Sequence, residues 1–192
     1  MNLPNKLTVF RMLMVPVFLV LLCIPLPLSD TALRILSAVV FGLTALTDMV
    51  DGKIARKYNL ITDFGKFMDP LADKFLVIAA MLGILVKFDY IRPVFVWAAA
   101  IVIFREFAVT SIRMIAANKA GLVIAAAWLG KVKTTTQMIC IVVILLEPLI
   151  PLAIFNEYYI LSYITTALMT VMTVWSGIDY LKAYWPYVGA TK

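Results

Sequence analysis

The feature that most limits what this chain can become is a succession of apolar runs, most of them close to bilayer length, with charged residues gathered between them. A helix rises about 1.5 Å per residue, so roughly 20 apolar residues cross the hydrocarbon of a bilayer. The first run covers Val9 to Leu28. The second starts near Thr31, stays apolar to Thr47 and continues with helical spacing through Asp48, Asp51 and Arg56. A third extends from about Lys66 to Val86, with Asp69 and Pro70 in its first turns. A fourth covers Ile91 to Ala117 and holds Arg105 and Glu106. The fifth covers Thr134 to Leu146, with Val123 to Gly130 also apolar, and the sixth covers Ile154 to Tyr184 behind Pro148 and Pro151. This pattern predicts an all-α polytopic integral membrane protein: one domain over residues 1–192 with six transmembrane helices. The first run shows no small-residue cleavage site and is followed by Asp30, so it reads as a retained helix rather than a signal peptide.

Composition agrees. The chain is 64% hydrophobic and 15% charged, against about 45–50% and about 25% in soluble domains. That excludes a disordered chain, a disulfide scaffold and an ordinary soluble enzyme. Cys23 and Cys140 both sit inside apolar runs, where cysteine behaves as a small hydrophobe, and neither a disulfide nor a metal site is expected of them. Histidine is absent. Acid–base chemistry in this chain must therefore use carboxylate, lysine, tyrosine or water.

The formal net charge is +6, and the basic residues lie between the apolar spans. Lipid headgroups and membrane topology account for that placement better than nucleic acid does. Six spans put both termini on one side. The N-terminus, the 52–74 segment, the 105–133 region and the C-terminus together carry fourteen Lys and Arg, and the opposite side carries Arg34, Lys87 and Arg92. The positive-inside bias predicts a multi-pass protein of the cell membrane with both termini and the acidic stretch in the cytoplasm.

That stretch reads DMVDGKIARKYNLITDFGKFMDPLAD over residues 48–73. Asp48 and Asp51 are three apart, and Asp69 and Asp73 are four apart, so on helices each pair shares a face. An antiparallel hairpin of the second and third helices brings the pairs together. Four carboxylates in one place repel one another and need a cation. Hard oxygen ligands without imidazole or thiolate select Mg²⁺, Mn²⁺ or Ca²⁺. Such a set can hold two ions about 3.5–4 Å apart, the arrangement that clamps phosphoryl oxygens. Gly52 and Ala55 continue the stripe without bulk and leave room for a ligand. Arg56 follows Gly52 by one turn and can reach a phosphate.

The spacing D-x2-D-G-x2-A-R-x8-G-x3-D-x3-D resembles the signature of the CDP-alcohol phosphotransferase family at all eight positions: Asp48, Asp51, Gly52, Ala55, Arg56, Gly65, Asp69 and Asp73. The resemblance implies a membrane enzyme that cleaves a CDP-linked lipid at its pyrophosphate, passes the phosphatidyl group to an alcohol and releases CMP. It implies Mg²⁺ or Mn²⁺, two ions, held by Asp48, Asp51 and Asp69, with Asp73 both near the metals and serving as the base. It also implies CDP-diacylglycerol against Gly52, Ala55 and Arg56, and a homodimer. Two further stretches, NLPNKLTVFR (2–11) and REFAVTSIR (105–113) followed by GKVKTTTQM (130–138), are similar to those of bacterial phosphatidylglycerophosphate synthases, a branch of that family. The acceptor there is glycerol 3-phosphate.

Independently, Arg105, Arg113, Lys131 and Lys133 are costly so near apolar spans, and a phosphate ligand explains the four together. Arg105 has a second reading, a pair with Glu106, and the two lysines have one as topology markers. The alternatives to this acceptor are others of the family: those that give cardiolipin, phosphatidylserine or a phosphoinositol lipid. A divalent-cation transporter is a further alternative, but it calls for carboxylates near the midplane and an internal repeat.

Overall fold

The computed structural model describes residues 3–57, 63–120 and 128–189. They are helical almost throughout, with no strand among the described residues. The helices are α1 (Leu3–Cys23), α2 (Asp30–Lys57), α3 (Asp63–Lys87), α4 (Arg92–Ala120) and α5 (Trp128–Leu146). After a 3₁₀ turn (Glu147–Leu149) come α6 (Ala153–Tyr158) and α7 (Ile160–Gly189). Asn5–Cys23, Asp30–Thr47, Arg92–Ile115, Trp128–Leu149 and Ile160–Trp185 are long and apolar enough to cross a membrane. In α3 the first half carries Lys66, Asp69, Asp73 and Lys74, and its continuous apolar run is confined to Phe75–Val86.

Several boundaries differ from the sequence reading for local reasons. Helix α1 stops at Cys23 instead of running to Leu28, because Pro25 and Pro27 cannot donate to the helix and disfavour it in the residue before them. Helix α3 starts at Asp63, so Pro70 falls about two turns inside rather than in the opening turn. The last apolar stretch is split: α6 ends at Tyr158, capped by Tyr159, whose φ of 50° is left-handed, and α7 starts afresh.

What restarts α7 is Glu147. This carboxylate, 1% exposed, accepts the backbone N–H groups of Leu161 and Ser162, each at 2.7 Å, and the Ser162 hydroxyl. The first N–H groups of a helix have no partner of their own, and the helix dipole favours an anion there. Around it, Tyr90 stacks on Tyr159 at 3.8 Å between ring centres, and Tyr163 donates to the Tyr90 carbonyl at 2.7 Å. Burial pushes the Tyr90 hydroxyl up to about 12, so it stays protonated at any working pH.

The packing has two halves. Helix α1 lies against α2 and α3, and α7 lies against α4 and α5. Contacts of α2 with α5 and of α3 with α4 and α5 join them. The shared core includes Phe18, Phe41, Met81, Ile84, Phe95 and Ile144. Gly83 lets α1 approach α3 closely, since a Cβ there would stand 2.8 Å from Leu22 Cδ2. Large apolar side chains such as Leu13, Leu43, Val86, Trp97 and Phe104 face outward. Helices apolar on the inner and outer faces alike are solvated by lipid. The hydroxyls of buried Thr44 and half-buried Thr170 turn back onto their own helix carbonyls at 2.6 and 2.8 Å.

At one end of the bundle lie the three cations that the charge count separates from the rest. Asp30 holds Arg34 at 2.5 Å and Lys87 at 3.2 Å. Arg92 covers the last carbonyls of α3, Leu85 at 2.6 Å and Val86 at 3.1 Å. The remaining described cations of the inner helices gather toward the other end, around the start of α3 and the second half of α4.

Candidate active site

The apolar window of α2 closes at Thr47, and the helix goes on to Lys57. Those ten residues extend it by about 15 Å and carry Asp48, Asp51, Gly52, Ala55 and Arg56. Helix α3 carries Asp69 and Asp73 in its first half and packs against α2. The helical backbone gives each aspartate pair the three- and four-residue spacing of one face. The side chains of all seven residues lie outside the described residues. The donor set is oxygen throughout, which suits Mg²⁺ or Mn²⁺.

Lys74 donates to the hydroxyl of Thr110 on α4, and that hydroxyl donates in turn to the Glu106 carbonyl at 2.7 Å. The second half of α4 is thereby tied to the helix of the second aspartate pair. One turn along, the Glu106 carboxylate accepts Lys133 of α5 and Arg105, the latter at 3.2 Å. The three side chains are 14%, 6% and 11% exposed. Removing charges from water is expensive, and such a cluster persists only when each charge has a close partner. Lys74, Glu106, Lys133 and Gln137 also line a cavity of about 20 Å³, room for one water and no substrate.

The four basic residues singled out from sequence are thus differently employed. Lys133 is buried, Arg105 is half-buried, and the two share Glu106; Arg105 also donates to Ser176 of α7 at 2.5 Å. Arg113 and Lys131 are exposed, and Arg113 donates to the Tyr180 hydroxyl at 3.1 Å. Helices α4 and α5 bring all four to one end of the bundle. The hydroxyls of Thr134, Thr135 and Thr136 do not join them: each donates to a carbonyl of its own helix, at 3.0, 3.0 and 2.8 Å. Ser176 and Tyr180 have no part in the sequence reading. A serine and a tyrosine four apart on the same face of a long apolar helix were the only signal.

Between α2 and α5 lies a second, larger space: a wholly apolar groove of about 340 Å³ lined by Phe41, Ala45, Leu46, Met138, Ile139 and Val142. Leu46 is two residues before Asp48. Cys23 and Cys140 are both free thiols.

Residues 1–175 match the CDP-alcohol phosphatidyltransferase family. The chain is 40% identical over 192 residues to the CDP-diacylglycerol–glycerol-3-phosphate 3-phosphatidyltransferase of Bacillus subtilis, covering 96% of this chain and 95% of the relative. It is 38% identical over 184 residues to the proteins of the same name from Escherichia coli K12 and Salmonella typhimurium, covering 95% of this chain and 94% of each. With a family match over most of its length and relatives similar from end to end, this chain belongs to the CDP-alcohol phosphatidyltransferase family.

Proposed function

We infer that the protein transfers the phosphatidyl group of CDP-diacylglycerol to glycerol 3-phosphate, giving phosphatidylglycerophosphate and CMP, a step of phospholipid synthesis. The observation that carries this is the end-to-end similarity, at 38–40% identity, to enzymes named for that reaction. The complete eight-position motif on α2 and α3 supports it.

In this reading Asp48, Asp51, Asp69 and Asp73 hold two divalent ions, Mg²⁺ or Mn²⁺, on which enzymes of the family generally depend. Bound there, the ions neutralise the pyrophosphate and stabilise CMP as a leaving group. Gly52 and Ala55 admit the nucleotide against the α2 backbone, and Arg56 grips a phosphate. The apolar groove beside α2 suits the acyl chains, because it starts within two residues of Asp48. Arg113 and Lys131, exposed at the same end, meet the phosphate of the acceptor, with Arg105 and Lys133 behind them. Asp73 takes the proton of the acceptor's 1-hydroxyl. The freed oxygen attacks the β-phosphorus, and the bond from that phosphorus to the CMP oxygen breaks.

Helix α3 is a sixth span in this reading. Its 25 residues give about 37 Å, and its Leu76, Ala80, Met81 and Ile84 lie in the shared core. Six spans put both termini and the acidic motif on the cytoplasmic face of a bacterial cell membrane, among anionic phospholipid. A homodimer follows from the family resemblance.

An acceptor panel tests the reaction. Purified protein, CDP-diacylglycerol and Mg²⁺ should release CMP with glycerol 3-phosphate. Glycerol, serine, inositol phosphate and phosphatidylglycerol should give little. Equal release with glycerol would move the protein to another branch of the family.

A further inference from the structure

Two arginines of α4 share one aromatic ring of α7. Arg105 and Arg113 are eight residues apart, about 12 Å along the helix. Their guanidinium carbons nonetheless stand 5.3 and 5.4 Å from the ring centre of the same Tyr180. Arg113 also donates to the hydroxyl of that tyrosine at 3.1 Å. Tyr180 is 4% exposed and is fixed on several sides. Its ring stacks on Tyr184, and its hydroxyl faces Gly130 of α5, where a Cβ would stand 3.5 Å away. One turn earlier on α7, Ser176 accepts Arg105 at 2.5 Å. Gly177 lets the Arg105 stem lie against the α7 backbone, since a Cβ there would come within 3.2 Å of Arg105 Cγ.

Two neighbouring guanidinium groups repel each other, and each has many rotamers. The π electrons of a buried ring attract each of them. An arginine already held loses less freedom when it closes on an anion. We propose that Tyr180 is a positioning residue for the acceptor: by its π face and its hydroxyl it sets Arg105 and Arg113 in place for the phosphate of glycerol 3-phosphate, so that the end of α7 governs acceptor affinity. This rests on the reading that these arginines bind that phosphate, and the test separates the two.

The experiment is steady-state kinetics on the full chain in detergent, with KM for glycerol 3-phosphate and for CDP-diacylglycerol, kcat and Tm measured for each variant. Tyr180→Phe keeps the ring and removes the hydroxyl, Tyr180→Leu removes both, and Ser176→Ala loosens Arg105 with the ring intact. Acceptor KM should rise several-fold in Tyr180→Phe and Ser176→Ala and about 10- to 30-fold in Tyr180→Leu. Donor KM should change less than acceptor KM in each. In an Arg113→Ala background, Tyr180→Phe should add little, because its hydroxyl acts through Arg113. If Arg113→Ala raises acceptor KM and the tyrosine variants do not, the positioning role is overturned and the acceptor reading stands. If Arg113→Ala and Arg105→Ala both leave acceptor KM unchanged, the acceptor reading falls and the role of Tyr180 with it. A Tyr180→Phe variant with lowered Tm and equal changes in both KM values makes the tyrosine purely structural and also overturns the proposal.

Discussion

The ammonium of Lys74 donates to the hydroxyl of Thr110, joining the residue after Asp73 to the middle of the arginine-bearing half of α4. That hydrogen bond, with the packing of α3 on α4 and α5, ties the helix of the second aspartate pair to the basic cluster. That adjacency suits the proposed reaction between two phosphate-bearing substrates, in which metal ions hold the donor and a separate cationic pocket holds the acceptor.

The metal reading predicts that Asp48→Asn, Asp51→Asn and Asp69→Asn each lose most activity while folding normally, since a neutral amide is a poor ligand for a hard dication. CMP release by the parent should stop in EDTA and return with excess Mg²⁺ or Mn²⁺. Undiminished turnover in EDTA would remove metal ions from the mechanism.

Asp73→Asn should lower kcat by at least the 10²- to 10⁴-fold typical of general-base catalysis, with loss of a metal contact adding to that. Binding of CDP-diacylglycerol should be largely kept, because the proposed site holds the donor mainly by the metal ions, Arg56 and the Gly52–Ala55 surface. Equilibrium binding beside single-turnover rates checks this, and near-normal turnover would reassign the base.

Exposed and buried cations should respond differently. Lys131→Ala should raise KM for glycerol 3-phosphate about tenfold to a hundredfold, for a lost charge-assisted hydrogen bond of roughly 1.5–3 kcal/mol, and leave Tm nearly unchanged. Lys133→Ala removes a close partner of the buried Glu106. Breaking a buried pair costs about 3–5 kcal/mol, so its first effect should be on stability, and Lys133→Met with Glu106→Gln should recover part of the loss. Equal Tm for the Lys131 and Lys133 variants would show that the Glu106 cluster carries no stability.

Glu147→Ala should lower Tm without altering either substrate's KM, because it strips the N–H groups of Leu161 and Ser162 of their acceptor far from the acidic motif. A buried donor left unsatisfied costs about 1–3 kcal/mol, and two are exposed here. Glu147→Gln, which keeps one acceptor oxygen, should lose less. Thermal unfolding in detergent reads both.

Topology is open to cysteine labelling in intact cells, once Cys23 and Cys140 are replaced. A cysteine at Asp89 should react with an impermeant reagent and one at Tyr58 should not. The reverse result would invert the orientation read from the distribution of Lys and Arg.

The sequence by itself determined the solvent and the helical class, and it supplied the motif on which the proposed donor site rests. Those follow from local quantities: runs of apolar residues near bilayer length, and aspartates three and four apart with small residues between them. Helix ends were less legible where a distant residue decided them. The last apolar stretch reads as one span, yet it breaks at Tyr159 and restarts at Ile160, where Glu147 supplies the acceptor for the new helix. Only the tertiary structure sorted the basic residues. Arg105, Arg113, Lys131 and Lys133 look alike along the chain. Packing of α4, α5 and α7 turns two of them inward onto Glu106, leaves two exposed, and sets both arginines against Tyr180. The partner of a buried charge can come from any helix that passes within a few ångström, and that proximity is a property of packing that no residue spacing within a single span records.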